Sequence, residues 1–97
     1  MPYIVPEKRR VLDPVVDDLV RALRDLQLDD TGKDNVEGNL NYVFSAVLNK
    51  LYTNNYADIN NAIGLLNCIA LEYYQRFAVP YEKQKAFDNG DVYDPVD

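Results

Sequence analysis

Histidine and tryptophan are absent from these 97 residues, and cysteine, methionine and serine occur once each. Each gap excludes something. Without histidine the commonest general base and metal ligand is missing. A single cysteine, Cys68, permits no intramolecular disulfide, which suits a reducing compartment. It also cannot build a structural zinc site, which takes four ligands. Cys68 lies in an apolar helical run and is expected to be a buried, inert thiol. The lone serine, Ser45, sits within a helical pattern rather than a nucleophile elbow. Neither a phosphate-binding G-x-x-x-x-G-K-[ST] loop nor a G-x-G-x-x-G turn occurs. No run approaches the roughly 20 apolar residues of a transmembrane helix, and no signal peptide is visible. The expected location is the cytoplasm, or a host's cytoplasm if the chain is phage-encoded.

What is present is ordinary in amount. Apolar residues make up 47% and charged residues 27%, enough for one small globular domain. The net charge of -6 disfavours direct DNA binding, which needs a basic surface. It leaves open a local basic patch, and also an acidic face that mimics nucleic acid or meets a basic partner.

The organising stretch runs from Tyr56 to Gly90. Ile59, Ile63, Leu66, Ala70, Tyr73 and Phe77 recur at helical spacing and form one unbroken stripe. A third helix is expected over 56–79, about 36 Å long at 1.5 Å per residue. Asn55 and Asp58 resemble a capping box at its start. Pro80 removes one hydrogen bond and clashes one turn back, so it either kinks this helix or starts a new one over 80–89. Asn89-Gly90 is a stop signal, with glycine suited to a left-handed cap.

Earlier in the chain, residues 1–11 read as an extended arm, apolar through Ile4 and Val5 and then charged through Glu7-Lys-Arg-Arg10. The basic triplet reads as a solvated turn. Asp13 as N-cap and Pro14 at the first helical position predict a first helix over 14–28. Its stripe is Leu12, Val16, Leu19, Leu23 and Leu26. The segment from Asp29 to Gly38 is a polar loop whose carboxylates lack the order of a calcium-binding loop. Asn39 is the expected cap of a second helix over 39–53, with Leu40, Phe44, Val47 and Leu51 on one face. Residues 90–97 form an acidic tail with apolar teeth at Val92, Tyr93 and Val96. The expected architecture is all-α: a single-domain three-helix bundle with a long third helix kinked at Pro80. The first two helices would span only about 20–23 Å, so the third outruns its partners.

Met1-Pro-Tyr-Ile4, Leu12-Asp-Pro14, Gly38-Asn-Leu-Asn-Tyr42, Leu71-Glu-Tyr-Tyr74, Ala78-Val-Pro-Tyr-Glu82 and Asn89-Gly-Asp-Val-Tyr93 together carry a resemblance. In this order and spacing the chain resembles a group of short uncharacterised proteins of bacteria, archaea and their phages, a domain of unknown function. The resemblance spans nearly the whole chain. It supplies no catalytic residues to carry over. It also implies that the third helix commonly carries a Glu and a Lys where this chain has Asn67 and Ala70.

Two features exceed a plain bundle. Eight tyrosines occur, and Tyr73, Tyr74, Phe77 and Tyr81 cluster with Arg76 near Pro80. Tyr73 and Phe77 continue the core stripe. Tyr74 and Tyr81 are free to act as interface anchors or to stack on a planar ligand. Asparagine, a poor helix former, lies inside the predicted helices, and Asn60 and Asn67 share a face. If exposed they are inert; if buried their amides need partners and can fix register in a helical interface. Glu72 and Arg76 read as a surface ion pair rather than catalytic groups. No enzyme, metal or cofactor is therefore expected. The leading reading is a non-enzymatic interaction protein that forms a homo-oligomer, a dimer first of all, and binds a protein partner. The alternatives are a small-ligand or nucleotide-binding oligomer and an acidic nucleic-acid-mimicking inhibitor.

Overall fold

The structure is a computed structural model and describes residues 2–29 and 35–93. Every regular element among them is helical: α1 (Pro6–Asp29), α2 (Val36–Leu51), α3 (Tyr56–Tyr73), a π-helical turn (Tyr74–Ala78) and α4 (Val79–Asn89). The chain divides into two units, Met1–Ile59 and Asn60–Asp97. In the first, α1 and α2 touch; in the second, the π turn runs directly into α4.

α1 begins earlier than the sequence predicts, at Pro6 instead of Pro14. Residues of the expected arm and charged connector, Glu7 to Leu12, are thus helical. The reason is a choice between two prolines. Either can open a helix without cost, because the first N–H has no intrahelical acceptor. Pro6 takes that place: the Val5 carbonyl accepts from the Lys8 N–H at 3.1 Å and the Arg9 N–H at 3.2 Å. Arg9 also donates its Nε–H to the Ile4 carbonyl at 2.7 Å, tying the helix back to the preceding strand of chain. Glu7 sits in the first turn, where an acid complements the helix dipole. Pro14 is left inside the helix. Asp18 and Arg21 form an exposed ion pair one turn apart, at 3.1 Å.

α2 starts at Val36, so Asn35 rather than Asn39 precedes it. Asn35 makes no side-chain capping bond. Its amide lies against Gly38, within 2.6 Å of where a β-carbon would stand, so the first turn is packed through a residue without a side chain. Most of the expected polar loop, residues 30–34, lies outside the described residues.

The turn into α3 agrees closely with the predicted capping box. Asn55 Oδ1 accepts the Asp58 N–H at 2.8 Å. Asp58 reaches back one turn, its Oδ2 accepting from the Thr53 N–H and the Thr53 hydroxyl, each at 2.7 Å. The backward bond thus goes to Thr53 and not to Asn55 itself. These donors, the backbone N–H first, hold the Asp58 carboxyl below its ordinary value of 3.8.

Pro80 neither ends the third helix nor simply bends it. The helical run continues from Tyr56 to Asn89 through a widened turn. The Val79 N–H donates to the Tyr74 carbonyl, five residues back. Widening the turn ahead of Pro80 relieves the clash between its ring and the carbonyl one turn earlier. α4 then ends on Gly90, whose φ of 90° is open only to glycine-like backbone and whose N–H donates to the Ala86 carbonyl at 2.9 Å.

No described residue is buried, whether apolar or polar. Cys68, expected inside, is exposed. The stripe of α3 is equally open, with Ile63 at 52% and Leu66 at 42% exposure. A helix that satisfies its backbone still needs another surface to cover its apolar side chains.

Two outcomes follow from these turns. Asp58 has a depressed folded pKa, so its bonds stabilise the fold fully above the unfolded value near 3.8 and are lost as pH falls through the folded value. Asp58→Asn should therefore weaken the helix start at neutral pH and flatten the acid limb of a pH-dependent melt; an unchanged acid limb would contradict the cap. Pro80→Ala should let the π turn revert to α geometry and raise stability by up to about 3 kcal/mol. Chemical shifts and amide exchange at Tyr74 to Ala78 would report whether that reversion occurs.

Candidate functional site

The aromatic end of the second unit is built by two local devices. The first is the junction of α3 with the π turn, which sets Tyr73, the last residue of α3, beside Phe77 in the turn: their ring centroids are 4.7 Å apart and tilted by 48°. Such tilted pairs gain from the opposite signs of ring face and edge. The second is the widened turn, which shifts everything after Ala78 around the helix axis. Tyr81 therefore leaves the line of Tyr73 and Phe77. It packs instead under Lys85, whose Nζ stands 5.5 Å from the ring centroid. Gln84 donates to Asp88 Oδ1 at 2.9 Å along the same helix.

The Gly90 turn adds what the sequence reading assigned to a tail. Its positive φ sends the chain back beside α4, and the Tyr93 N–H closes a small turn on Asp91 Oδ1 at 2.9 Å. Between the returning segment and the helix lies an open cavity of about 440 Å³. Tyr74, Val79, Ala86, Val92 and Tyr93 line it, together with the charged Glu82, Lys83, Lys85 and Asp91. The wall is mainly hydrocarbon and aromatic, and the charges stand around it.

The predicted site residues thus separate. Tyr73 and Phe77 form one pair, Tyr74 lines the cavity, and Tyr81 carries Lys85. All four are exposed, as is Arg76. Asn60 and Asn67 are exposed on α3 and lie outside that cavity. Tyr93 and Val92 belong with Tyr74, which the spacing of tyrosines along the helix could not show. The available signal was the Asn89-Gly90 stop followed at once by two large apolar residues. Among the described residues no group of His, Cys, Asp and Glu is arranged to hold a metal. No described helix is long and apolar enough to cross a membrane.

The molecule is of one class: a short all-helical chain whose apolar and aromatic faces lie open. Its family follows from a match over residues 1–92: the chain belongs to DUF6899, a domain of unknown function. No curated protein and no solved structure matches it.

The cavity depends on Gly90. Gly90→Ala should cost about 1–3 kcal/mol, since an L side chain is strained at such a φ. It should also release Val92 and Tyr93 from Tyr74, seen as loss of any tyrosine-to-tyrosine nuclear Overhauser contact between Tyr74 and Tyr93. Equal stability of the two chains would show that the turn is not held in this form.

Proposed function

We propose that the protein is a non-enzymatic interaction module that acts by associating with itself, as a dimer first of all, and by binding a protein partner. The observation that carries this reading is the exposure of every large apolar side chain in α3, from Ile59 to Tyr73. Such faces are covered in functioning proteins, because apolar surface removed from water is worth about 25 cal/mol per Å². Exposed contiguous apolar surface on this scale marks association. The aromatic end supplies interface chemistry of its own. Tyr74, Arg76 and Tyr81 are of the residue types that dominate binding energy, and they stand at the end of the helix farthest from the Thr53 turn.

A second reading rests on the cavity between Tyr74 and Tyr93. Two aromatic rings suit a planar small molecule such as a nucleotide base; the charged lining residues, Glu82 and Asp91 against Lys83 and Lys85, balance, so stacking and not net charge carries this reading.

Melting the purified chain over a range of concentrations tests the first reading. A self-associating fold melts at higher temperature as concentration rises, because only the folded state binds. A cooperative melt independent of concentration, with the mass of one chain, would remove the basis for self-association. Tyr81→Ala, which lies off the α3 stripe, should leave that dependence intact while losing the protein partner that the unaltered chain captures. A shift of the melt by mono-, di- or cyclic nucleotides that Tyr74→Ala abolishes would favour the cavity reading instead.

A further inference from the structure

The α3 stripe has a symmetry that identifies its cover. Ile59 and Phe77, Ile63 and Tyr73, and Leu66 and Ala70 stand in pairs at equal distances on either side of Cys68. The alternating spacing of these six positions is that of a coiled-coil seam, which a second helix of the same pattern fills with knobs in holes. We propose that the seam is closed by a second copy of this chain, whose α3 runs antiparallel across a two-fold axis at the level of Cys68. This inference rests on the self-association reading and specifies its partner and geometry.

Three observations support a second copy in this orientation. The chain is acidic overall, yet no charged residue interrupts α3 between Asp58 and Glu72. A like-charged copy can therefore approach there without repulsion. The helical run from Tyr56 to Asn89 is much longer than α1 or α2, and only another copy offers a run of equal length. Finally, the layers fit only when the helices run in opposite directions. Ile59 then meets the partner's Phe77, Ile63 the partner's Tyr73, and Leu66 the partner's Ala70. Every layer pairs a larger with a smaller side chain. A parallel pair would stack Phe77 on Phe77 and Tyr73 on Tyr73 at one end and leave Ala70 facing Ala70 beside them. Antiparallel helices also set their dipoles head to tail.

The asparagines then acquire a role. At the edge of an antiparallel seam, Asn67 of one copy meets Asn67 of the other across the axis. An amide both donates and accepts, so the two side chains pair reciprocally. One turn pair away, Asn60 faces the Tyr74 hydroxyl of the second copy. Both contacts fix register, because a shift by one turn would set an amide against Ile63 or Ile69. The widened turn ends the seam after Phe77 by rotating Tyr81 away from it.

Disulfide trapping with light scattering tests this arrangement in the full chain. In a Cys68→Ala background, Asn67→Cys should self-crosslink on mild oxidation, whereas Ala70→Cys should not. Light scattering should give twice 11.1 kDa for the unaltered chain. Leu66→Asp should lose mass and helicity together. Self-crosslinking of Ala70→Cys and not of Asn67→Cys would overturn the antiparallel geometry while leaving self-association standing. A single-chain mass with a cooperative melt would overturn both. A single-chain mass without a cooperative melt would overturn the second copy as cover and leave a different protein in that place.

Discussion

An α-helix closes its own backbone hydrogen bonds but cannot cover its own side chains. That constraint governs this chain. α3 carries isoleucine, leucine and alanine around most of its circumference, and none of these side chains is buried. Folding must offset backbone entropy of about 1–2 kcal/mol per residue, mainly by burying apolar surface. Local capping bonds, such as those around Asp58, contribute too little to replace that term. Stability of this chain therefore turns on what covers the apolar side chains of α3.

The widened turn at Tyr74–Ala78 is the second physical feature on which the molecule depends. A proline inside a helix must be accommodated somewhere. Here the helix takes one wider turn and continues. That turn divides the aromatic residues into two groups with different neighbours. Tyr73 at the end of α3 pairs with Phe77 in the turn, while Tyr81 and Lys85 form a separate cation–π pair on α4. π turns recur where a helix presents a functional surface, and this one stands between the apolar seam and the cavity.

Much of the candidate site was legible along the chain, and the rest was not, for a definite reason. The tyrosines, Asn55 with Asp58, and the Asn89-Gly90 stop act over a few residues, so their local roles could be read directly. The destination of Tyr93 depends on the direction taken after Gly90. Which of Pro6 and Pro14 opens α1 was ambiguous, because both satisfy the same rule; the Val5 carbonyl and the Arg9 side chain decide for Pro6. The exposure of Cys68 could not be read either, since periodicity says which residues share a face and not what lies opposite.

By itself the sequence determined an all-α chain, a long third helix with an apolar stripe, its cap at Asn55 and its stop at Gly90. Its ordered motifs also pointed to the family. These follow from spacing and from backbone rules that operate within one or two turns. Only the tertiary structure decided that Pro80 is absorbed by a π turn, that Tyr93 and Tyr74 line one cavity, and that Cys68 is exposed. Those outcomes depend on which surfaces meet, and residues far apart in the chain, or in a second chain, settle that.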